Sequence, residues 1–150
     1  MSTIRVVIAD DDDDVRDALS EVIEADVRFT VVGTARTGDE AVAVVAACLP
    51  DVVLLDVRMP GGGPEAARRL VNGPRLAPVV VAVSAHTGAS TIVAMVRAGA
   101  VGYLTKGRLT DLTDLVARCA GGQVVLAAPG AAEAVRRLLR STGGDPVDVH

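Results

Sequence analysis

Aromatic side chains are almost missing from this chain of 150 residues: Phe29 and Tyr103 are its only aromatics, and it has no tryptophan. Half of the residues are nevertheless hydrophobic, and the mean hydropathy is +0.41, which excludes a disordered chain. Most of these hydrophobic residues are Val, Ala, Leu and Ile. A core of small, branched side chains favours a parallel sheet with helices on both faces, in which strands read as continuous apolar runs.

The chain also lacks excess basic charge. Its formal net charge is −4 at pH 7, so we expect no nucleic-acid-binding surface. Cys48 and Cys119 have neither metal-ligand nor CxxC spacing, which predicts buried thiols in a reducing compartment. The first residues do not resemble a signal peptide, and no apolar run is long enough to cross a bilayer. These absences predict a cytoplasmic protein with no membrane contact.

Lysine is almost absent from the chain. The chain has 15 basic residues, and Lys106 is the only one that is not arginine. A single lysine in a chain that otherwise uses arginine favours a specific role for Lys106.

Short apolar runs alternate with amphipathic segments along the first 121 residues. The runs predict strands over 4–9, 29–33, 52–55, 79–83 and 101–104, and apolar residues at helical spacing predict a helix after each. Such alternation indicates a parallel α/β sheet. We predict a domain over residues 1–121. Residues 122–150 are expected to be a linker with a short helix and a flexible tail, and that helix could dock on its own domain or on a second protomer.

Polar residues follow four of the five predicted strands. Asp10 and Asp11 follow the first, Asp56 the third and Ser84 the fourth, and Lys106 comes just after the fifth. Ligands of open α/β sheets bind at the carboxyl ends of the strands, so we expect these side chains to converge. Three close carboxylates resist ionising together, and Mg²⁺ would relieve their repulsion. A carboxylate placed in this way can attack phosphorus, and a lysine can neutralise the phosphoryl oxygens.

At these residues the sequence resembles the receiver domain of bacterial two-component response regulators, over residues 4–121. The resemblance is carried by the acidic pair after the first strand, by a phosphoacceptor motif, by a hydroxyl with a small neighbour, and by a stretch ending in the lysine. These motifs lie at residues 6–11, 53–61, 84–85 and 99–106.

The resemblance implies a flavodoxin-like, doubly wound five-stranded parallel sheet of order 2-1-3-4-5, with five surrounding helices and an extra C-terminal helix. It implies that Asp56 accepts a phosphoryl group from a sensor histidine kinase with Mg²⁺ or Mn²⁺ as cofactor. The ion would be held by Asp11 directly, by Asp10 directly or through water, by Asp56, and by the backbone carbonyl of Arg58. Lys106 would assist the transfer.

The resemblance further implies that Ser84 and Tyr103 reorient when Asp56 is phosphorylated. The reorientation would alter binding at the face formed by the fourth helix, fifth strand and fifth helix, through which a homodimer could form, as it could through the C-terminal helix. Arg58 and His86 lie two residues beyond Asp56 and Ser84, respectively. We hypothesise that they tune the lifetime of the phosphoryl group by gating water.

Residues 122–126 and the helix after them resemble regulators of the NarL/LuxR type, which continue into a helix-turn-helix domain. The 150 residues contain no such domain, so DNA contact is expected only through a domain outside them, and a receiver fragment and a stand-alone receiver both stay open. One departure from the family is Gly107, which stands where a proline, often in a cis peptide, is usual. Because non-proline cis bonds cost about 3–4 kcal/mol, we predict a trans Lys106–Gly107 bond.

Two alternatives to a phosphorylated switch stay open. The first is a receiver that acts as a scaffold without phosphorylation, which the change at Gly107 keeps possible. The second is a phosphotransferase of the haloacid-dehalogenase type, but its motif needs a second aspartate two residues after the nucleophile, where this chain has Arg58. We expect a signalling module and no enzyme activity on an external metabolite.

Overall fold

The computed structural model describes residues 2–73, 77–107 and 109–143, in which strands and helices alternate. The strands are β1 Ile4–Ala9, β2 Phe29–Ala35, β3 Val52–Leu55, β4 Val79–Ser84, β5 Gly102–Thr105 and β6 Val125–Ala127. The helices are α1 Asp13–Glu24, α2 Gly38–Cys48, α3 Gly63–Val71, α4 Ala89–Arg97, α5 Leu112–Ala120 and α6 Ala131–Gly143. No helix of the described residues is long and apolar enough to cross a membrane.

The strands form one parallel sheet in the order β2-β1-β3-β4-β5-β6. The flavodoxin-like parallel α/β fold is therefore confirmed, but the prediction of five strands is wrong. The sixth strand, β6, adds to the outer edge of β5, where the Val125 amide donates to the Val101 carbonyl over 2.9 Å. This addition satisfies backbone groups that an edge strand would leave unpaired.

The two faces of the sheet bury alternate residues of each strand, as the two-residue period of a strand requires. Val53, Leu55 and Tyr103 lie in the cluster that also holds core residues of α3 and α4. Leu54 and Leu104 lie in the opposite cluster, with residues of α1 and α5. The small side chains of the central strands suit a sheet that is covered on both sides.

Local signals in the sequence explain several helix ends. Asp12 caps α1 by accepting hydrogen bonds from the backbone of Asp14 and Val15, and Thr37 caps α2 in the same way through Glu40. The second helix ends at Cys48. The next residue, Leu49, caps it in a left-handed conformation immediately before Pro50.

The C-terminal helix α6 packs on α4 of its own domain. Ala134 is fully buried, Leu138 packs against the core cluster that contains Met95, and Arg137 Nη1 donates to Ser90 Oγ over 2.8 Å. The structure thus shows α6 docked within the chain. The division into domains at residue 121 stays a prediction, and residues 144–150 of the expected tail lie outside the described residues.

Candidate functional site

Neighbouring strands bring four predicted site residues to one edge of the sheet. Asp10 and Asp56 directly follow Ala9 and Leu55, which are paired in register, and the Asp56 amide donates to the Ala9 carbonyl over 2.9 Å. Ser84 is the last residue of β4, and its carbonyl accepts from the Lys106 amide over 3.0 Å. Because all of these strands are parallel, their carboxyl ends meet in one place.

Three carboxylates and the only lysine converge at this edge. The ligand oxygens of Asp10, Asp11 and Asp56 all lie within 4.8 Å of one another. Asp10 and Asp56 are buried, whereas Asp11 is exposed. Lys106 Nζ lies 2.9 Å from Asp10 Oδ2 and 3.3 Å from Asp56 Oδ1. One ammonium therefore bridges the two buried carboxylates.

Burial and mutual repulsion dominate the electrostatics of the site. Burial raises the pKa of Asp56, the charge of Asp10 raises it further, and Lys106 offsets only part of the increase. Burial by itself would lower the pKa of Lys106, but the hydrogen bond to Asp10 and the charges of both carboxylates outweigh it and raise that pKa. A single ammonium is thus too little charge for three carboxylates, and close, partly buried oxygen ligands of this kind fit a hard divalent cation.

The sequence did not reveal Arg16 as a residue that organises the site. Arg16 lies on the buried face of α1 with Leu19 and Ile23. Its Nη1 donates to the Asp10 carbonyl oxygen over 2.8 Å, and its Nη2 donates to Asp13. Arg16 therefore holds the loop that carries two of the carboxylates. A charged residue three and seven positions before apolar core residues was the only signal for it.

Ser84 and Tyr103 meet at the backbone of His86. The His86 amide donates to Ser84 Oγ over 3.0 Å, and the Tyr103 hydroxyl donates to the His86 carbonyl oxygen. Ser84 and Tyr103 are fully buried, and burial raises the pKa of the Tyr103 phenol. Both side chains predicted to reorient therefore hold the first turn of the chain after β4, although their role as switches stays a prediction.

The remaining predicted residues lie at the rim. Arg58 and His86 are exposed, and the Arg58 amide lies 3.5 Å from Asp56 Oδ1. Metal binding by the Arg58 carbonyl and tuning of a phosphoryl lifetime by Arg58 and His86 stay predictions. The described residues contain no cis peptide bond, so the prediction of a trans Lys106–Gly107 bond is confirmed.

The raised pKa of Asp56 predicts a stabilising substitution. The folded state binds the Asp56 proton more tightly than the unfolded chain does, so this contribution to stability is complete below the unfolded-state pKa and is lost as the pH rises through the folded-state pKa. Asp56→Asn should therefore raise the free energy of unfolding at pH 7. Its advantage should shrink as the pH falls through the folded-state pKa and should be lost below about pH 4, the unfolded-state value. Urea unfolding across pH measures this. The exposed Glu21→Gln is the control, and equal stability of Asp56→Asn and wild type at pH 7 would contradict the prediction.

Arg16→Ala should lower the free energy of unfolding by about 1–3 kcal/mol, because it leaves the Asp10 carbonyl without its donor in a buried place. Urea unfolding is again the measurement. Arg36→Ala is a matched control, since Arg36 also faces Asp13, at 3.9 Å, but with a side chain that is 65% exposed. The control should cost at most about 1 kcal/mol, and equal losses in the two variants would show that Arg16 has no special role.

The chain matches the family described as "Response regulator receiver domain" over residues 6–119. It is 34% identical to a Bacillus subtilis transcriptional regulatory protein, YxjL, over 92% of this chain and 64% of that protein. It is also 37% identical to a Geobacillus kaustophilus protein-glutamate methylesterase/protein-glutamine glutaminase, over 71% of this chain but 31% of that enzyme. The chain thus spans less than two thirds of either relative.

Among solved structures, the chain is similar to the signal receiver domain of the response regulator NarL from Mycobacterium tuberculosis. The TM-score is 0.78 and the identity 33%, with 82% of this chain and all of that domain covered. The family match, these relatives and the convergence of Asp10, Asp11, Asp56 and Lys106 agree. The chain belongs to the response regulator receiver domains of two-component systems, and its structural neighbours include NarL and LuxR-family regulators.

Proposed function

We propose that this chain is a signalling switch in which Asp56 accepts a phosphoryl group from a sensor histidine kinase. The observation that carries the proposal is the contact of Lys106 with both Asp10 and Asp56 beside a third carboxylate, Asp11. An ordinary surface aspartate has neither a buried position nor a shared lysine. The site thus combines a nucleophile, a cation and ligands for a metal.

In the proposed transfer, an Asp56 carboxylate oxygen forms a bond with phosphorus while the phosphorus–nitrogen bond of the kinase's phosphohistidine breaks. Lys106 holds its positive charge 3.3 Å from Asp56 Oδ1, where it can neutralise the phosphoryl oxygens. Arg16 keeps the Asp10 backbone in place during this step. The hydroxyl of Ser84 then donates to a phosphoryl oxygen, and the reorientation proposed for Ser84 would draw its oxygen away from the His86 amide, from which it now accepts a hydrogen bond.

Mg²⁺, or Mn²⁺ in its place, fits the oxygen ligands of this site. Asp10, Asp11, Asp56 and the backbone carbonyl of Arg58 would hold it, with Asp11 as a direct ligand. When bound, the ion neutralises charge on the transferred group and on the carboxylates. Its binding should therefore stabilise the fold, since it relieves the repulsion between Asp10 and Asp56.

A phosphorylated switch needs a source of the phosphoryl group and a partner that responds to it. The kinase is the source of the phosphoryl group, and the phosphorylated chain changes its contacts with an output domain or partner, as part of a transcription factor. A homodimer through the α4–β5–α5 face or through α6 is part of this proposal, although β6 and α6 lie beside β5 and on α4 in this structure. The proposal places the chain in the cytoplasm, with DNA bound only by another domain. It includes no enzyme activity on an external metabolite.

The phosphoryl group on Asp56 supplies the main test. Incubation with acetyl phosphate and Mg²⁺ should add the mass of one phosphoryl group to the wild type and none to Asp56→Asn, because the amide is not a nucleophile of this kind. Intact-mass spectrometry measures the shift. An unmodified wild type at every Mg²⁺ concentration would favour the scaffold alternative, and turnover of p-nitrophenyl phosphate would favour the haloacid-dehalogenase alternative.

The exposed side chain of His86 is proposed, with Arg58, to restrict the water that hydrolyses the phosphoryl group. His86→Ala should therefore shorten the lifetime of the phosphorylated protein several-fold while the initial mass shift stays complete. The measurement is the decay of the phosphorylated mass after acetyl phosphate is removed. Thr113→Ala, on α5, is the control for a distant substitution. An unchanged decay rate in His86→Ala would contradict the role of this side chain.

A further inference from the structure

The turn before α6 is joined to the loop between β4 and α4 by two closely packed backbones. The Gly130 amide donates to the Thr87 carbonyl oxygen over 3.0 Å. A methyl group on Gly130 would lie 2.3 Å from that same oxygen and 2.8 Å from the Ala89 nitrogen. Only glycine fits this approach, so the two segments cannot move independently without separating.

We call this contact between Thr87 and Gly130 the joint. Helix α6, which begins directly after it, packs along α4. Ala134, one turn into α6, has no exposed surface, and Arg137 Nη1 reaches Ser90 Oγ at the start of α4. Leu138 packs against the same core cluster as Ile92. The surface formed by the β4–α4 loop and α4 is therefore already occupied, and its occupant is the chain's own C-terminal helix.

On the other side of the joint, Thr87 lies close in sequence to Ser84 of the proposed phosphorylation site. Thr87 is three residues after Ser84 and one after His86, whose amide and carbonyl are held by Ser84 and Tyr103. Any movement of Ser84 towards a group on Asp56 weakens the hold on His86 and shifts the backbone at Thr87. The Gly130 amide is bonded to the Thr87 carbonyl and the two backbones touch, so such a shift either moves the turn before α6 or breaks this hydrogen bond.

We propose that α6 is an internal partner that phosphorylation of Asp56 releases from the β4–α4 loop and α4, through the joint between Thr87 and Gly130. This inference rests on the proposed function, because it takes phosphorylated Asp56 as the input. It adds a part of the chain that responds to the signal: the segment that follows β6 and contains α6. Release would uncover the face of α4 for contact with a partner.

The test is hydrogen–deuterium exchange of the whole chain with Mg²⁺, before and after treatment with acetyl phosphate, with the intact mass recorded on the same sample. Phosphorylation should speed exchange of the Gly130 amide and of the α6 amides about five- to tenfold, the effect expected from the loss of a hydrogen bond. The amides of α2 serve as the internal control and should not change.

Gly130→Ala should give fast exchange of α6 without phosphorylation, and phosphorylation should add little to it. Gly88→Ala is the matched control, because a methyl group there meets no atom within 4 Å, and it should keep the wild-type response. If Gly130→Ala does not fold, Arg137→Ala removes the Ser90 contact without a clash and should also speed exchange of α6.

Two failures are distinguishable. A complete mass shift in the wild type with unchanged exchange in α6 would overturn the release of α6 and leave phosphorylation of Asp56 intact. A missing mass shift would overturn the proposed function and this inference with it.

Discussion

The repulsion between the buried carboxylates of Asp10 and Asp56 is the constraint on which the site depends. Adjacent parallel strands place them side by side, and burial leaves little water to screen them. Lys106 offsets part of the repulsion by contacting both. The remaining imbalance makes the site receptive to a cation. Burial, and after it the charge of Asp10, keeps the pKa of Asp56 raised. The repulsion that lowers the stability of the folded protein is thus the same one that favours binding of a cation.

Hydrogen bonds and close backbone packing fix the backbone around the carboxylates. Arg16 fixes the loop after β1 through the Asp10 carbonyl. Gly63 donates to the Val57 carbonyl, and a methyl group on Gly63 would lie 2.6 Å from Val57 Cα. The turn after Asp56 and the start of α3 therefore pack backbone against backbone. In the proposed transfer, a carboxylate held in this way would react from a fixed position.

The same close packing connects the site to the C-terminal segment. Ser84 and Tyr103 hold His86, and Gly130 holds Thr87. Through these contacts, α6 packs on the loop after β4, whose first residues are held by Ser84 and Tyr103 of the candidate site. The family relationship covers residues 6–119, so the connection to α6 is a feature of this structure that the family match does not contain.

The sequence by itself determined the alternation of strands and helices and the meeting of Asp10, Asp56, Ser84 and Lys106. The order of the first five strands came from its resemblance to receiver domains. A residue that directly follows a buried strand of a parallel sheet must lie at its carboxyl edge, so these positions needed no knowledge of distant contacts. Only the tertiary structure decided the sixth strand, the place of α6 and the role of Arg16. Three apolar residues, Val124 to Leu126, are too few to show a period, and β6 forms because β5 offers it an unpaired edge. The roles of Gly130 and Arg16 likewise depend on their backbone partners. Gly130 contacts the Thr87 carbonyl, far away in the sequence, and Arg16 contacts the Asp10 carbonyl across a turn. No local sequence pattern indicates either contact.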